Sequence, residues 1–150
     1  MPVPTYRPTL NQQNRTVQAD GHIHGVVVGC QREDDRWLLI RRSETVAAPL
    51  GVCFPGGGVD GSETQPQTVV REMQEEVCAT VIPLTCVWHS VSSAIPLTLW
   101  GWHATLVSSE VTPNPEEVAE ILWLTPTEIV NHPDIMPHTD AFLESLLAQL

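Results

Sequence analysis

Apolar residues in this chain fall into short blocks separated by breaks rich in proline, glycine and acids, and the period inside each block predicts its structure. His24 to Gln31 (HGVVVGCQ) is a near-continuous apolar run of strand length, and Trp37 to Arg41 (WLLIR) is another. The polar segment Gln31–Arg36 between them predicts a hairpin. Gly51 to Phe54 predicts a short strand that runs into Pro55-Gly56-Gly57-Gly58, where adjacent glycines predict a turn with positive φ and close backbone approach to a ligand. Thr80–Val91 and Leu97–Val107 predict two strands around a loop at Ser92–Pro96, and Val118–Leu124 predicts another strand.

Between these strands the period lengthens to that of a helix. Thr64 to about Val77 opens with Thr64 as N-cap, Gln67 at N3 and Pro66 in the first turn, which is a capping-box pattern. At about 100° per residue, Val69, Val70, Met73 and Val77 share one side, an apolar stripe that needs a sheet beneath it. Thr125 with Glu128 repeats the capping pattern on a short helix, Asn131–Pro137 breaks the chain, and Asp140–Leu150 predicts a terminal helix on Phe142, Leu143, Leu146, Leu147 and Leu150. Residues 1–21 carry no period and are rich in proline, so they are expected to form an N-terminal arm, disordered or lying along the domain or along a second chain in a homodimer. Residues 22–150 then form a single α/β domain with a mixed sheet, the acidic helix on one face and the terminal helix on another.

Charge changes this picture at one place. The net charge is −11 with seven Lys and Arg in 150 residues, none of them Lys, which argues against a general nucleic-acid binder. No apolar stretch is long enough for a membrane span or a leader, and four scattered cysteines without metal-ligand spacing suggest reduced thiols in a cytoplasmic protein. On the acidic helix, Glu72, Glu75 and Glu76 follow i, i+3, i+4 and fall together on one side. Arg71 is the one arginine between Arg42 and the C-terminus, so local charge balance does not account for three adjacent carboxylates. A divalent cation accounts for them, because Mg²⁺ takes hard oxygen ligands and bridges carboxylates to phosphates. Exposed acidic helix faces are common without such a role, so the spacing of the whole stretch has to decide.

That stretch resembles the Nudix box, G-x5-E-x7-R-E-U-x-E-E-x-G-U. Gly57 is the first Gly, Glu63 follows five residues later, Arg71-Glu72 follow after seven more, Met73 is the apolar position and Glu75-Glu76 the acidic pair. Cys78 stands where the box has its second Gly, at the helix exit where φ > 0 is often needed. The resemblance implies an α/β/α sandwich and a Mg²⁺- or Mn²⁺-dependent pyrophosphohydrolase that cleaves a phosphoanhydride bond of a nucleoside diphosphate derivative. It implies Glu75 and Glu76 as metal ligands, Glu72 as ligand or general base, the Gly56 carbonyl as a further ligand, and a Glu63–Arg71 pair that braces loop against helix. A later catalytic acid is expected, with Glu117 the candidate ahead of Glu116 and Glu120. The alternative is a non-catalytic nucleotide-sensing domain, which usually loses box carboxylates; this chain keeps Glu63, Glu72, Glu75 and Glu76.

Substrate marks outside the box are few. Arg41 and Arg42 are candidates to hold an anionic substrate, and among Trp88, Trp100 and Trp102 at most one is expected to stack a base, Trp100 being the candidate. Leu38-Leu39-Ile40-Arg41-Arg42-Ser43 resembles the start of a coenzyme A-type motif, but Ala47 replaces an expected Arg. Pro96 resembles an ADP-ribose mark, and nucleoside triphosphates stay equally open.

Overall fold

The computed structural model describes residues 16–92 and 94–150. The first fifteen residues of the arm therefore lie outside the described residues, while Thr16–Gly21 turn back on the domain, with Val17 bridging Ile23 and Thr16 Oγ1 accepting from Gly61 N. Among the described residues, seven strands divide between two sheets. In the first, β1 (Ile23–Gly29) lies between β4 (Gly56–Gly58), antiparallel, and β6 (Leu97–Leu106), parallel; β6 then pairs antiparallel with β5 (Val81–Val91). In the second, β2 (Trp37–Arg42) lies between β3 (Val52–Cys53) and β7 (Val118–Leu124), both antiparallel.

Two expectations are corrected here. β1 and β2 do not form a hairpin ladder: only the bridge Gln31–Trp37 joins them, and the chain leaves one sheet for the other. The physical reason is that both runs bury both faces, so each needs two strand neighbours and a layer on either side. The glycine stretch is a strand, not a positive-φ turn; among the described residues the positive-φ glycines are Gly21 and Gly61. Gly57 is small because a side chain there would strike the carboxylate of Glu72, so glycine serves close approach to the helix above.

That helix, α1 (Gln65–Val77), starts on the expected capping box: Thr64 accepts from Gln67 N, and the Gln67 side chain accepts from Thr64 N. It ends at Cys78, whose backbone is left-handed (φ 53, ψ 36). Val69, Met73 and Val77 are fully buried against Val26, Val28, Leu38, Ile40 and Ala104, while Val70 is exposed, because the stripe is narrower than a helical wheel suggests. A second core joins Trp37, Leu39, Val52 and Phe54 to α2 (Pro126–Val130) and α3 (Thr139–Leu147) through Ile129, Phe142, Leu143 and Leu146. Leu147 and Leu150, expected on the buried face, are exposed where the helix frays into its C-terminus. The layers are thus helix, two sheets and helix, an α/β/α sandwich with a mixed sheet.

Candidate active site

The acidic side of α1 faces inward over β4. Glu72 and Glu76, one turn apart, are almost fully buried, and the loop before β7 brings Glu117 to them. One carboxylate oxygen from each of the three lies within 4.8 Å of the others. Glu117 arrives there because its loop is tied to the end of α1: Thr112 N donates to Val77 O and Asn114 N to Glu76 O. The periodicity of a helix cannot show a contact of this kind.

Three buried acids in one place are unfavourable unless something relieves them. Burial pushes Glu72 up to about 8, against the pull of Arg71 and with added push from Glu75 and Glu117. Burial also raises Glu76 well above the usual carboxylate range, helped by Glu72 and Glu117 and opposed by the N–H of Gly56, which donates to Glu76 Oε1 at 2.9 Å. Glu117 is raised by burial and by Glu75. The donor set is three hard carboxylate oxygens, the ligand type that Mg²⁺ and Mn²⁺ take, and a divalent cation would remove the repulsion that now drives protons onto them. The residues present fit such an ion.

Glu75 is not part of the triangle; Arg71 Nη1 donates to its Oε1 at 3.2 Å. Its charge still acts on both Glu72 and Glu117. Arg71 is the hub of the support. Its Nε and Nη2 donate to Glu63 at 2.7 and 2.9 Å, its Nη2 to the carbonyl of Gly58 at 2.8 Å, and its Nη1 to Glu72 at 3.0 Å. Glu63 is held at about 2 by this guanidinium. The pair therefore fixes the loop, β4 and the Glu72 carboxylate in one network.

The acids open into a cavity of about 400 Å³. Gly56 and Arg42 line it, and Arg42 Nε is anchored by donating to Ala47 O at 2.6 Å. Arg41 and Trp100 do not line it. Arg41 is engaged with Glu120 at 2.8 Å and Asp134 at 2.9 Å. Trp100 lies on the opposite face of its strand, donating Nε1–H to His24 Nδ1 at 2.9 Å. Trp88 lines the cavity instead, with Phe142, Met136 and His138. Met136 comes from the segment that the sequence marks as a break and His138 from between that break and the predicted helix, so no pattern announces them.

Comparison with known proteins agrees with this geometry. A NUDIX domain family model matches residues 22–146. A curated relative, the 8-oxo-dGTP diphosphatase of Escherichia coli K12, is 33% identical over 81 residues, covering 51% of this chain and 62% of that protein. The chain thus matches less than two thirds of that relative's length. Among solved structures, the MutT protein from Methanosarcina mazei Go1 superposes with a TM-score of 0.73 at 22% identity, over 85% of this chain and 94% of that one. A MutT NUDIX hydrolase from Burkholderia pseudomallei gives 0.70 at 22%, over 83% and 97%. These structural likenesses establish the fold, and with the family match over most of its length the chain belongs to the NUDIX domain family.

Proposed function

We propose that the chain is a Mg²⁺- or Mn²⁺-dependent pyrophosphohydrolase acting on a nucleoside diphosphate derivative. The observation that carries this reading is the buried triangle Glu72, Glu76 and Glu117 at the wall of a cavity. Glu72, Glu76 and Glu117 would hold the cation, with Glu75 and Gly56 beside them. When bound, the ion supplies neutralisation of phosphate oxygens and a more acidic water. The chain's own groups do the rest. Arg42 presents a fixed positive charge to an anionic substrate, Arg71 and Glu63 hold Glu72 in place, and the apolar walls exclude water from the bond that breaks. Glu72 and Glu117, which line the cavity, are the groups placed to accept the proton of the attacking water. The 8-oxo-dGTP diphosphatase relative makes nucleoside triphosphates the first substrates to try. ADP-ribose- and coenzyme A-like compounds follow from Pro96 and the Leu38–Ser43 run. A nucleotide sensor without catalysis has no observation in its favour, since every box carboxylate is present.

The test is a screen of these compounds with Mg²⁺ or Mn²⁺, followed by Glu→Gln changes at positions 72, 75, 76 and 117. Loss of a ligand should lower Mn²⁺ affinity and kcat together, whereas loss of the base should lower kcat by roughly two to four orders of magnitude with metal still bound. Near-wild-type kcat in all four variants would end the reading.

A further inference from the structure

Among the places where this fold gives up local regularity, two deliver a side chain to the same spot. The first is in β5. Cys86 pairs with Trp102, but the next paired residue is Trp88, opposite Gly101, so the strand carries a bulge at Val87. Strict alternation from Cys86 would send Trp88 to the α1 side of the sheet, the side of Trp102. The bulge sends it to the cavity side instead. There Gly101 leaves room, because a side chain at that position would strike Phe142 and crowd Trp88. His89, next along, returns to the other face and stacks on Trp100.

The second place is the start of α3. Its N-cap is His138, whose backbone is left-handed (φ 72) and whose side chain makes no capping hydrogen bond. A Ser, Thr, Asp or Asn would cap this helix, and a Gly would accept the positive φ, so His costs stability on both counts. What the chain obtains is an exposed imidazole whose ring centroid lies 6.1 Å from that of Trp88. Both rings line the cavity that holds the acids. Apart from Thr139, the rest of the wall that β5, β6 and α3 contribute is apolar, with Leu97, Leu99 and Phe142, and Met136 lies beside it. Local strain and bulges of this kind collect where a ligand has to be met.

We propose that Trp88 and His138 form the reader of the aromatic base in this cavity, Trp88 by stacking and His138 by hydrogen bonding through its ring nitrogens. This deepens the nucleotide reading of the site, but it concerns binding and does not depend on hydrolysis taking place. His138 is then a specificity-determining residue whose position is maintained at the expense of the helix it begins.

The experiment uses the full chain without added metal and follows the indole N–H signals of tryptophan and the imidazole signals of histidine by NMR, assigned with Trp88→Phe and His138→Gly. The probes are GMP and AMP, with ribose 5-phosphate as the baseless control. The nucleotides should shift the Trp88 and His138 signals, and ribose 5-phosphate should leave both unchanged. His138→Gly should raise the melting temperature, by relieving the left-handed backbone, and weaken nucleotide binding roughly tenfold or more. Trp88→Leu should weaken it at least as much without the gain in melting temperature. A purely structural His138 would give a stabilised variant that binds as before, and that result overturns the proposal. Equal binding of ribose 5-phosphate, or no nucleotide reaching Trp88, overturns it as well. Binding at Trp88 and His138 with no turnover of any compound would instead leave this inference standing and remove the hydrolase reading.

Discussion

Cys78 is a residue in a conformation that suits glycine. Its φ of 53 turns the chain so that the next N–H, that of Ala79, reaches back to Met73 O and closes the end of α1. Cys78→Gly should therefore stabilise the protein, by roughly 0.5–1 kcal/mol once the added freedom of the unfolded chain is counted. Denaturant unfolding measures the gain, and kcat should stay unchanged; a large loss of kcat in a folded variant would give the exposed thiol a role. The site residues differ in how far the sequence exposed them. Glu72 and Glu76 were legible because i, i+4 spacing on a helix places them together whatever lies opposite. Glu75 shares that side on a wheel, yet Arg71 holds it to the rim. Arg41 shows its charge in the sequence but not its partners, which come from β7 and from Asp134 far along the chain.

At the scale of elements, helices are more legible in the sequence than the connections between strands. Capping boxes at Thr64 and Thr125 are local chemistry and set both helix starts. Strand partnership is not local, and Gln31–Arg36 has the look of a hairpin turn while passing the chain between sheets. The glycines of β4 suggest conformational freedom in the sequence, whereas their use is thinness. Gly57→Ala tests that use. The added methyl group meets the far end of the Glu72 side chain rather than backbone, so the fold should survive while the carboxylate is displaced from its neighbours. Mn²⁺ affinity should fall on the order of 10–100-fold, the range for a disturbed ligand support, with circular dichroism unchanged. Unaltered affinity would mean that Glu72 is not needed in its observed place.

For the whole molecule, the acids make the stability of the metal-free fold depend on pH, and a bound cation would change that dependence. Glu72 rises from 4.5 to about 8 on folding, and Glu76 and Glu117 move the same way. Between those limits the metal-free fold holds more protons than the unfolded chain, so its stability is full below about 4.5 and declines as pH rises toward 8. Glu63 acts oppositely: its ion pair with Arg71 contributes above 4.5 and is lost as pH falls toward 2. Metal-free protein should thus be most stable in mild acid, and Mg²⁺ should raise the melting temperature more at pH 8 than at pH 5, by calorimetry. An equal rise at both pH values would remove the carboxylates from the binding step. Another consequence lies in where the three acids come from. Glu72 and Glu76 ride on α1, over β4 of the four-stranded sheet, while Glu117 leads into β7 of the three-stranded sheet, and the two sheets exchange no strand. An ion gripped by all three would rivet one half of the sandwich to the other. Scarcity of divalent cation would then shorten the protein's survival against proteases as well as silence it.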